Sequence, residues 1–463
     1  MSGRVLGIEL KRSAAPWAGL LILGGSLAFI HLINGLWWYG AAAWTAQWTT
    51  MALTTRVMLA FGWPIAVGLG ALHGLRDSRS RMTELLATTP RPAWRRAAVP
   101  AGVTAISLAA AFGLLVLWGA VQVARGGTAY QTLGWLPISL VAVLALVAGA
   151  VFGMGVARAL PSVLTPPFLV LVFLMANVLL RQFTDGELPS GTVPNRFALL
   201  SPATDMPREV LLTLSGAVHL GQTLWLLGLL GTGFALLCAA TRRARLIALA
   251  PVLVGAALAL LVLPASERDS YVVDRAAAAL VCDGPVCVTR AHGAQLPDVA
   301  RHGKEALRVL HDALGDQAPT AVREETGLRA VGDDRTLSGD TVLIDFDDPL
   351  LAPSARIDLT RLLVGQGLAP NCRPRTTREG GGLIDLPTQS IATSLVLGDR
   401  RLEPLRLPDP DGYAQATWEK AEAAWAKVSA LPPAEQRARI ARAHAAALSC
   451  EDGLAALTGE ATR

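Results

Sequence analysis

Seven apolar stretches, each long enough to cross a bilayer, constrain this chain more than any other feature. A helix needs about 20 predominantly apolar residues to cover ~30 Å of hydrocarbon. Such stretches occupy residues 15–38, 57–75, 97–123, 136–157, 163–180, 218–240 and 246–264. Lipid offers the backbone no hydrogen-bond partner, so each stretch must satisfy its own polar groups as a helix. The first is too long for a cleavable leader, ends in Trp37, Trp38 and Tyr39, and is followed by no small-residue cleavage site. After residue 265 the chain turns polar. The expected architecture is an all-α polytopic membrane domain of about seven transmembrane helices plus a C-terminal mixed α/β or α+β extracytoplasmic domain.

Charge divides the chain at the same place. Residues 1–265 hold 18 Lys+Arg against 7 Asp+Glu, whereas residues 266–463 hold 23 against 29. The basic excess therefore belongs to loops that flank the membrane, and no nucleic acid is expected as a partner. Alternate loops differ: Arg4, Lys11, Arg12, Arg76, Arg79, Arg81, Arg91, Arg95, Arg96, Arg158, Arg242, Arg243 and Arg245 fall on one side. Only Arg56, Arg125, Arg181, Arg196 and Arg208 fall on the other. Cytoplasmic loops carry the excess, which puts the N-terminus inside and, after seven crossings, residues 266–463 outside a cell membrane. Four lysines against 37 arginines, with abundant alanine, are the usage expected of a GC-rich bacterial genome.

Cysteine placement agrees with that orientation. Cys238 lies in a span, while Cys282, Cys287, Cys372 and Cys450 all lie in the polar segment. An even number in an oxidising compartment reads as two disulfides. The sequence CDGPVC brackets an Asp-Gly turn, so Cys282 and Cys287 are expected to bridge a hairpin, leaving Cys372 for Cys450. Four cysteines allow three pairings, and a zinc site is the competing reading, although CxxxxC lacks histidines at ligand spacing.

The spans themselves hold no Asp, Glu, Lys or Arg by these boundaries. Their polar residues are His31, Asn34, His73, Asn177, His219 and Gln222, which read as helix–helix hydrogen bonds. Pro64 and the Pro166–Pro167 pair are expected to kink or break their helices. Coupled transporters keep ionisable carriers in the bilayer, so energy for any transport is expected from elsewhere. It does not come from this chain. The lysine preceded by glycine, Lys304, is followed by Glu305, so no phosphate-binding Gly-Lys-Ser/Thr motif exists.

The longest basic loop reads GLRDSRSRMTELLATTPRPAWRR, residues 74–96. Residues 81–88 can form a short amphipathic helix with Met82, Leu85 and Leu86 on one side and Arg81 and Glu84 on the other, stopped by Pro90 and Pro92. As a structural element it could equally be a surface anchor. A charged stretch after span two, running through an acid and paired leucines into TTP and further arginines, resembles the permease subunits of exporter-type ABC transporters. That family uses this segment as a coupling helix docked on its ATPase. The resemblance implies contacts at Glu84, Leu85, Leu86, Thr89 and Pro90. It also implies an interfacial helix over residues 7–16, a tight turn near residues 158–162, and short re-entrant helices within residues 181–216. It covers residues 1–245; a seventh helix over 246–265 and the domain over 266–463 exceed the family plan.

In the polar domain, residues 286–290 and 341–346 read as strands, and 296–314, 419–428 and 434–448 as helices. Asp345, Asp347 and Asp348 could bind Ca²⁺ or simply be solvated. His302 and His311 are nine residues apart, too far to share a metal, and neither HExxH nor GxSxG occurs. No catalytic site, metal site or cofactor is therefore expected in this chain.

The resulting expectation is the permease subunit of an ATP-driven transporter, with ATP-Mg in a separate cytoplasmic ATPase subunit and a second permease copy or sister permease beside it in the lipid bilayer. The contending reading is a membrane-anchored receptor or assembly factor whose external domain binds a ligand. A membrane-embedded hydrolase is disfavoured by the lack of intramembrane acids and metal motifs.

Overall fold

A computed structural model describes residues 13, 15–33, 44–76, 92–126, 130–182, 184–188, 191–204, 210–265, 269–327, 335–346, 348–351, 357–372, 385–405 and 415–460. The expected coupling contacts Glu84, Leu85, Leu86, Thr89 and Pro90 lie outside the described residues, as does most of the expected interfacial helix.

The described part of each apolar stretch is helical. The membrane half contains α1 (Ala15–Leu32), α2 (Trp48–Val57), α3 (Leu59–Gly74), α4 (Ala93–Arg125), α5 (Trp135–Ala159), α6 (Thr165–Leu180), α7 (Gly216–Cys238), α8 (Arg242–Ile247) and α9 (Ala250–Val262). Among the described residues five helices are long and apolar enough to cross a membrane, counting residues 242–262 as one. A sixth candidate is α2 with α3, bent by 50° at the break between them. Helix α6 has 16 residues and so covers only about 24 Å, less than the hydrocarbon thickness.

Small residues let these helices approach closely, as packing in lipid requires. At Gly70 of α3 an added Cβ would sit 2.0 Å from the Ala150 carbonyl of α5, and at Gly153 of α5 one would sit 2.0 Å from the Val67 carbonyl of α3. The opposite flank of α5 meets α7 in the same way through Gly155 and Gly233. Helix α5 is thus the axis of the bundle, in contact with α3, α4 and α7. At the bundle's basic end, Arg245 Nη1 donates to the Ala159 carbonyl at 3.1 Å, closing the end of α5.

The prolines do not act as their positions suggested. Pro166 and Pro167 start α6, where the first N–H groups have no intrahelical partner anyway, so the pair breaks nothing. Pro64 lies inside α3, yet the sharp bend falls at Met58. The expected re-entrant helices are also absent from the described part of residues 181–216. That stretch forms an antiparallel hairpin, β1 (Thr184–Leu188) with β2 (Gly191–Pro194), then a single 3-10 turn over Ala198–Leu200 and strand β3 (Leu212–Leu214). Its sequence, TDGELPSGTVP, is dominated by turn residues, with too little apolar periodicity for a helix.

Beyond the membrane half, β4 (Tyr271–Val273) pairs antiparallel with β3, register Leu212 to Val273. A four-stranded sheet follows in the order β5 (Leu280–Asp283), β6 (Val286–Thr289), β7 (Ala321–Glu324), β8 (Thr341–Ile344). Strands β5 and β6 are antiparallel, and β6, β7 and β8 are parallel. Helix α10 (Leu296–Leu314) makes the crossover between β6 and β7, as a parallel pair demands. Helices α11 (Leu359–Leu368), α12 (Leu386–Leu397), α13 (Gln415–Ser429), α14 (Pro433–Leu448) and α15 (Gly453–Thr458) complete an α/β unit. Its own core joins Val286, Val322 and Val342 of the sheet to Leu310, Leu363, Ile391, Trp418 and Ile440 of the helices.

Both cysteine pairs stand at bonding distance. Cys282 and Cys287 face each other across β5 and β6, with Gly284 at φ +63° in the turn between them. Cys372 joins Cys450 across 78 residues, tying the end of the α11 segment to the end of α14.

Candidate functional site

Helix α2 ends in a buried cation. Its sequence, WTTMALTTRV, buries Thr49, Thr50, Thr54 and Thr55 together with Arg56, whose exposure is 0%. The boundaries drawn from hydropathy placed Arg56 in a loop; instead it lies inside the broken span. The cause is the threonines, which lower the apolar signal of α2 without preventing its burial.

Among the described residues, Arg56 is held by neutral groups. Its Nε donates to the Pro202 carbonyl at 2.9 Å, and its Nη2 donates to Gln222 Oε1 on α7. Gln222 in turn donates its amide to the Leu199 carbonyl at 2.8 Å and the Ser201 carbonyl at 3.0 Å. Thr204 donates to the Leu53 carbonyl at 3.2 Å, so residues 199–204 lace α2 to α7. Among the described residues no carboxylate pairs with Arg56; the titratable groups close enough to feel it are Tyr271 and His219. Its Nη1 and His219 Nδ1 have no hydrogen-bond partner there. Hydrogen bonds to a charged donor contribute about 1.5–3 kcal/mol each, against a desolvation cost of several kcal/mol for the ion.

A second thread runs from the same segment to α3. Pro64 has no N–H, which frees the carbonyl four residues earlier, at Ala60. Asn177 of α6 fills it, donating Nδ2 to Ala60 O at 2.9 Å, while its Oδ1 accepts from the Ser201 hydroxyl. The proline leaves α3 intact because a neighbouring helix supplies the missing donor. Asn177 and Gln222, expected as interhelical hydrogen-bonding residues, both bond to carbonyls outside their own helices. His31 of α1 accepts from Trp118 of α4 at 3.1 Å.

Where these threads meet there is a cavity of about 20 Å³ lined by Arg181, Thr204, Leu214, Val218, Gln222 and Tyr271. That is enough room for an ordered water. Tyr271 belongs to β4, so this end of the bundle abuts the strand that begins the C-terminal unit. Two more contacts join the halves: Gln47 at the start of α2 donates to the Ala291 carbonyl at 2.6 Å, and Tyr130 bonds Asp274 at 3.4 Å.

Two of the three clustered aspartates of the C-terminal unit are engaged internally. Asp345 pairs with Arg335 at 2.8 Å, and Asp348 Oδ1 accepts from the Leu350 N–H at 2.9 Å; Asp347 lies outside the described residues. His302 meets Thr360 at 2.7 Å, far from a shared metal with His311. A buried cluster that sequence reading missed joins His292 Nδ1 to Glu324 Oε1 at 2.7 Å, with Thr289 donating its hydroxyl to the same oxygen at 3.0 Å. Nothing in the sequence signals it, since its members are three and 32 residues apart.

No family model matches the chain, and neither a curated protein nor a solved structure is detectably similar to it.

Proposed function

We propose that the chain is the membrane-spanning permease subunit of an ATP-driven transporter. A cytoplasmic ATPase binds ATP-Mg and docks on residues 76–96, and a second permease copy or a sister permease completes the path. One observation carries this reading: all seven acidic residues before residue 266 fall outside helices α1–α9, so the bundle holds no carboxylate to move charge across the membrane. The buried Arg56 network is then a latch at the end of the bundle farthest from the basic loops, and its release needs work done from the other end. Helix α3 offers the route. It begins beside the bend that adjoins Arg56, packs tightly on α5, and leads directly into the 76–96 loop. Partner movement at that loop shifts α3 and exchanges one bundle state for another. In this arrangement the N-terminus is cytoplasmic and the C-terminal unit is outside.

Replacing Leu85 and Leu86 with aspartate puts two charges where an apolar face must dock, at a cost on the order of several kcal/mol. The variant is expected to reach the membrane at normal abundance yet to lose its co-purifying ATPase in mild detergent. Recovery of an ATPase at wild-type stoichiometry removes the coupling assignment and favours the receptor or assembly-factor reading.

A further inference from the structure

We propose that the corner where the α5–α6 turn meets the start of α8 binds the headgroup phosphate of an anionic phospholipid, whose acyl chains lie along α6 and α9. Packing brings the charges of that corner together. An added Cβ at Gly74 would sit 2.5 Å from the Met154 carbonyl, and Ala97, Met154 and Leu237 share one apolar cluster. The ends of α3, α5 and α7 and the start of α4 therefore lie at a common level. Just beyond it stand Arg95, Arg96, Arg158, Arg242, Arg243 and Arg245. Arg245 Nη1 reaches the Ala159 carbonyl at 3.1 Å, and Arg158 lies close enough to Cys238 for its charge to act there, so residues 158–160 and 238–245 adjoin. Arg158, Arg242 and Arg243 are exposed. Residues 130–182 and 210–265 contain neither Asp nor Glu, so the corner supplies no counter-charge of its own. Across residues 75–96, 158–164 and 239–249 the sequence holds ten arginines against Asp77 and Glu84, too few acids to neutralise them.

What surrounds the arginines selects the ligand. Residues 242–262 together form one candidate span, so Arg242, Arg243 and Arg245 occupy its first turn. Leu246 and Ile247 follow about 6 Å further along the same axis. Across the corner, helix α6 covers only about 24 Å, which draws the turn before it towards hydrocarbon. Leu160, Val163 and Leu164 of that turn, with Leu246 and Ile247, are between 63% and 73% exposed. Guanidinium groups at the rim with bare aliphatic side chains below them match a phospholipid, phosphate first and chains after. Flexible arginine stems let the charges stay at headgroup level while the stems cover apolar surface. A soluble anion would leave the aliphatic side chains uncovered, and a zwitterionic lipid would bring a positive group beside its phosphate. Anionic phospholipid satisfies both halves of the corner.

Such a site needs neither an ATPase nor a particular leaflet, so it stands or falls apart from the transport reading. Full-length protein in a neutral detergent is titrated with dioleoylphosphatidylglycerol or dioleoylphosphatidylcholine while native mass spectrometry counts the bound lipids. Phosphatidylglycerol should half-saturate at a concentration lower by about tenfold or more. Arg242→Gln combined with Arg243→Gln should bring the two lipids to within about twofold of each other. Arg242→Lys combined with Arg243→Lys should keep the preference, which separates lost charge from lost folding. Glycerol phosphate, which has the phosphate without the chains, should displace no lipid even at millimolar concentration; displacement would assign the corner to a soluble phosphate instead. Equal affinity for the two lipids in the unmutated protein would overturn the proposal and leave these arginines to a protein partner. A full preference surviving in the glutamine double variant would overturn it as well, because the charges responsible would then lie elsewhere.

Discussion

Arg56 in the membrane half and Arg335 in the C-terminal unit are both buried, and they are satisfied in opposite ways. Arg335 pairs with Glu325 at 2.5 Å and Asp345 at 2.8 Å, bonds Asn371 at 2.9 Å, and donates its backbone N–H to the Cys372 carbonyl at 2.6 Å. Its acids stand one residue past the ends of the parallel strands β7 and β8, so the sheet itself aims both at one point. Among the described residues Arg56 receives a carbonyl and an amide oxygen, because helices without acids must recruit irregular backbone to hold a cation. A polar α/β unit can fix an arginine by charge matching, which is strong and local. A membrane bundle fixes one by lacing several helices together, which ties the cation's state to the helices' arrangement.

The comparison is tested first at its covalent frame. The Cys372–Cys450 bridge adjoins Arg335 and closes 78 residues, whereas Cys282–Cys287 closes five. In the chain-entropy treatment these loops correspond to about 4.5 and about 2 kcal/mol. The Cys372→Ser, Cys450→Ser double variant should accordingly lose at least twice the unfolding free energy of Cys282→Ser, Cys287→Ser. Equal losses would mean that the long bridge only decorates a region already held by its charges.

Next in size come the arginines. Arg335→Ala strands two carboxylates and should cost about 3–5 kcal/mol in denaturant unfolding of the full-length protein. Arg56→Gln removes an ion with no carboxylate partner and leaves neutral acceptors short of a donor, at about 1–2 kcal/mol. If Arg56→Gln proves as costly as Arg335→Ala, the distinction between charge matching and lacing fails.

The smallest effect lies at His444 on α14, buried and bonded to the Leu368 carbonyl at 3.3 Å. Burial holds its imidazole below the usual histidine range, with the backbone contacts opposing in part. The unfolded chain takes up that proton near pH 6.5, while the folded unit does so only at lower pH. Stability of the C-terminal unit should therefore fall as pH drops below about 6.5 and be free of this contribution above it. His444→Asn should flatten the slope in pH-dependent melting curves; an unchanged slope would assign the acid sensitivity to other groups.

Helix positions in the membrane half were legible because lipid imposes a long, uniform apolar signal. Helix α2 escaped it. Its threonines and Arg56 look like a loop by composition, and only packing against α5 and residues 199–204 reveals otherwise. In the C-terminal unit the expected helix over 296–314 is α10 to the residue, since its polar and apolar residues alternate at helical spacing. Helix α12 gave no such pattern. It is buried all round, with Gln389, Ser390 and Ser394 satisfied by the Ala369 carbonyl, the Leu405 N–H and the Glu403 N–H. The candidate site was legible only in fragments: Asn177 and Gln222 stood out as polar residues in apolar runs, but Gln222 meets Arg56 across 166 residues and Asn177 meets Ala60 across 117.

The pairing of β3 with β4 has a mechanical consequence. Strand β3 runs directly into α7, and β4 follows α9, with Ser215 N–H bonded to the Ser270 carbonyl and Asp274 N–H to the Leu211 carbonyl. Residues 211–274 are thus buckled at the base, and α7 and α9 form a loop of chain whose two ends are stitched together. A tug on the C-terminal unit reaches the stitch before it reaches either helix and is divided between them. Because Tyr271 sits in the stitch and Gln222 nearly two turns into α7, load arriving from the C-terminal unit passes the cavity on its way into the helices.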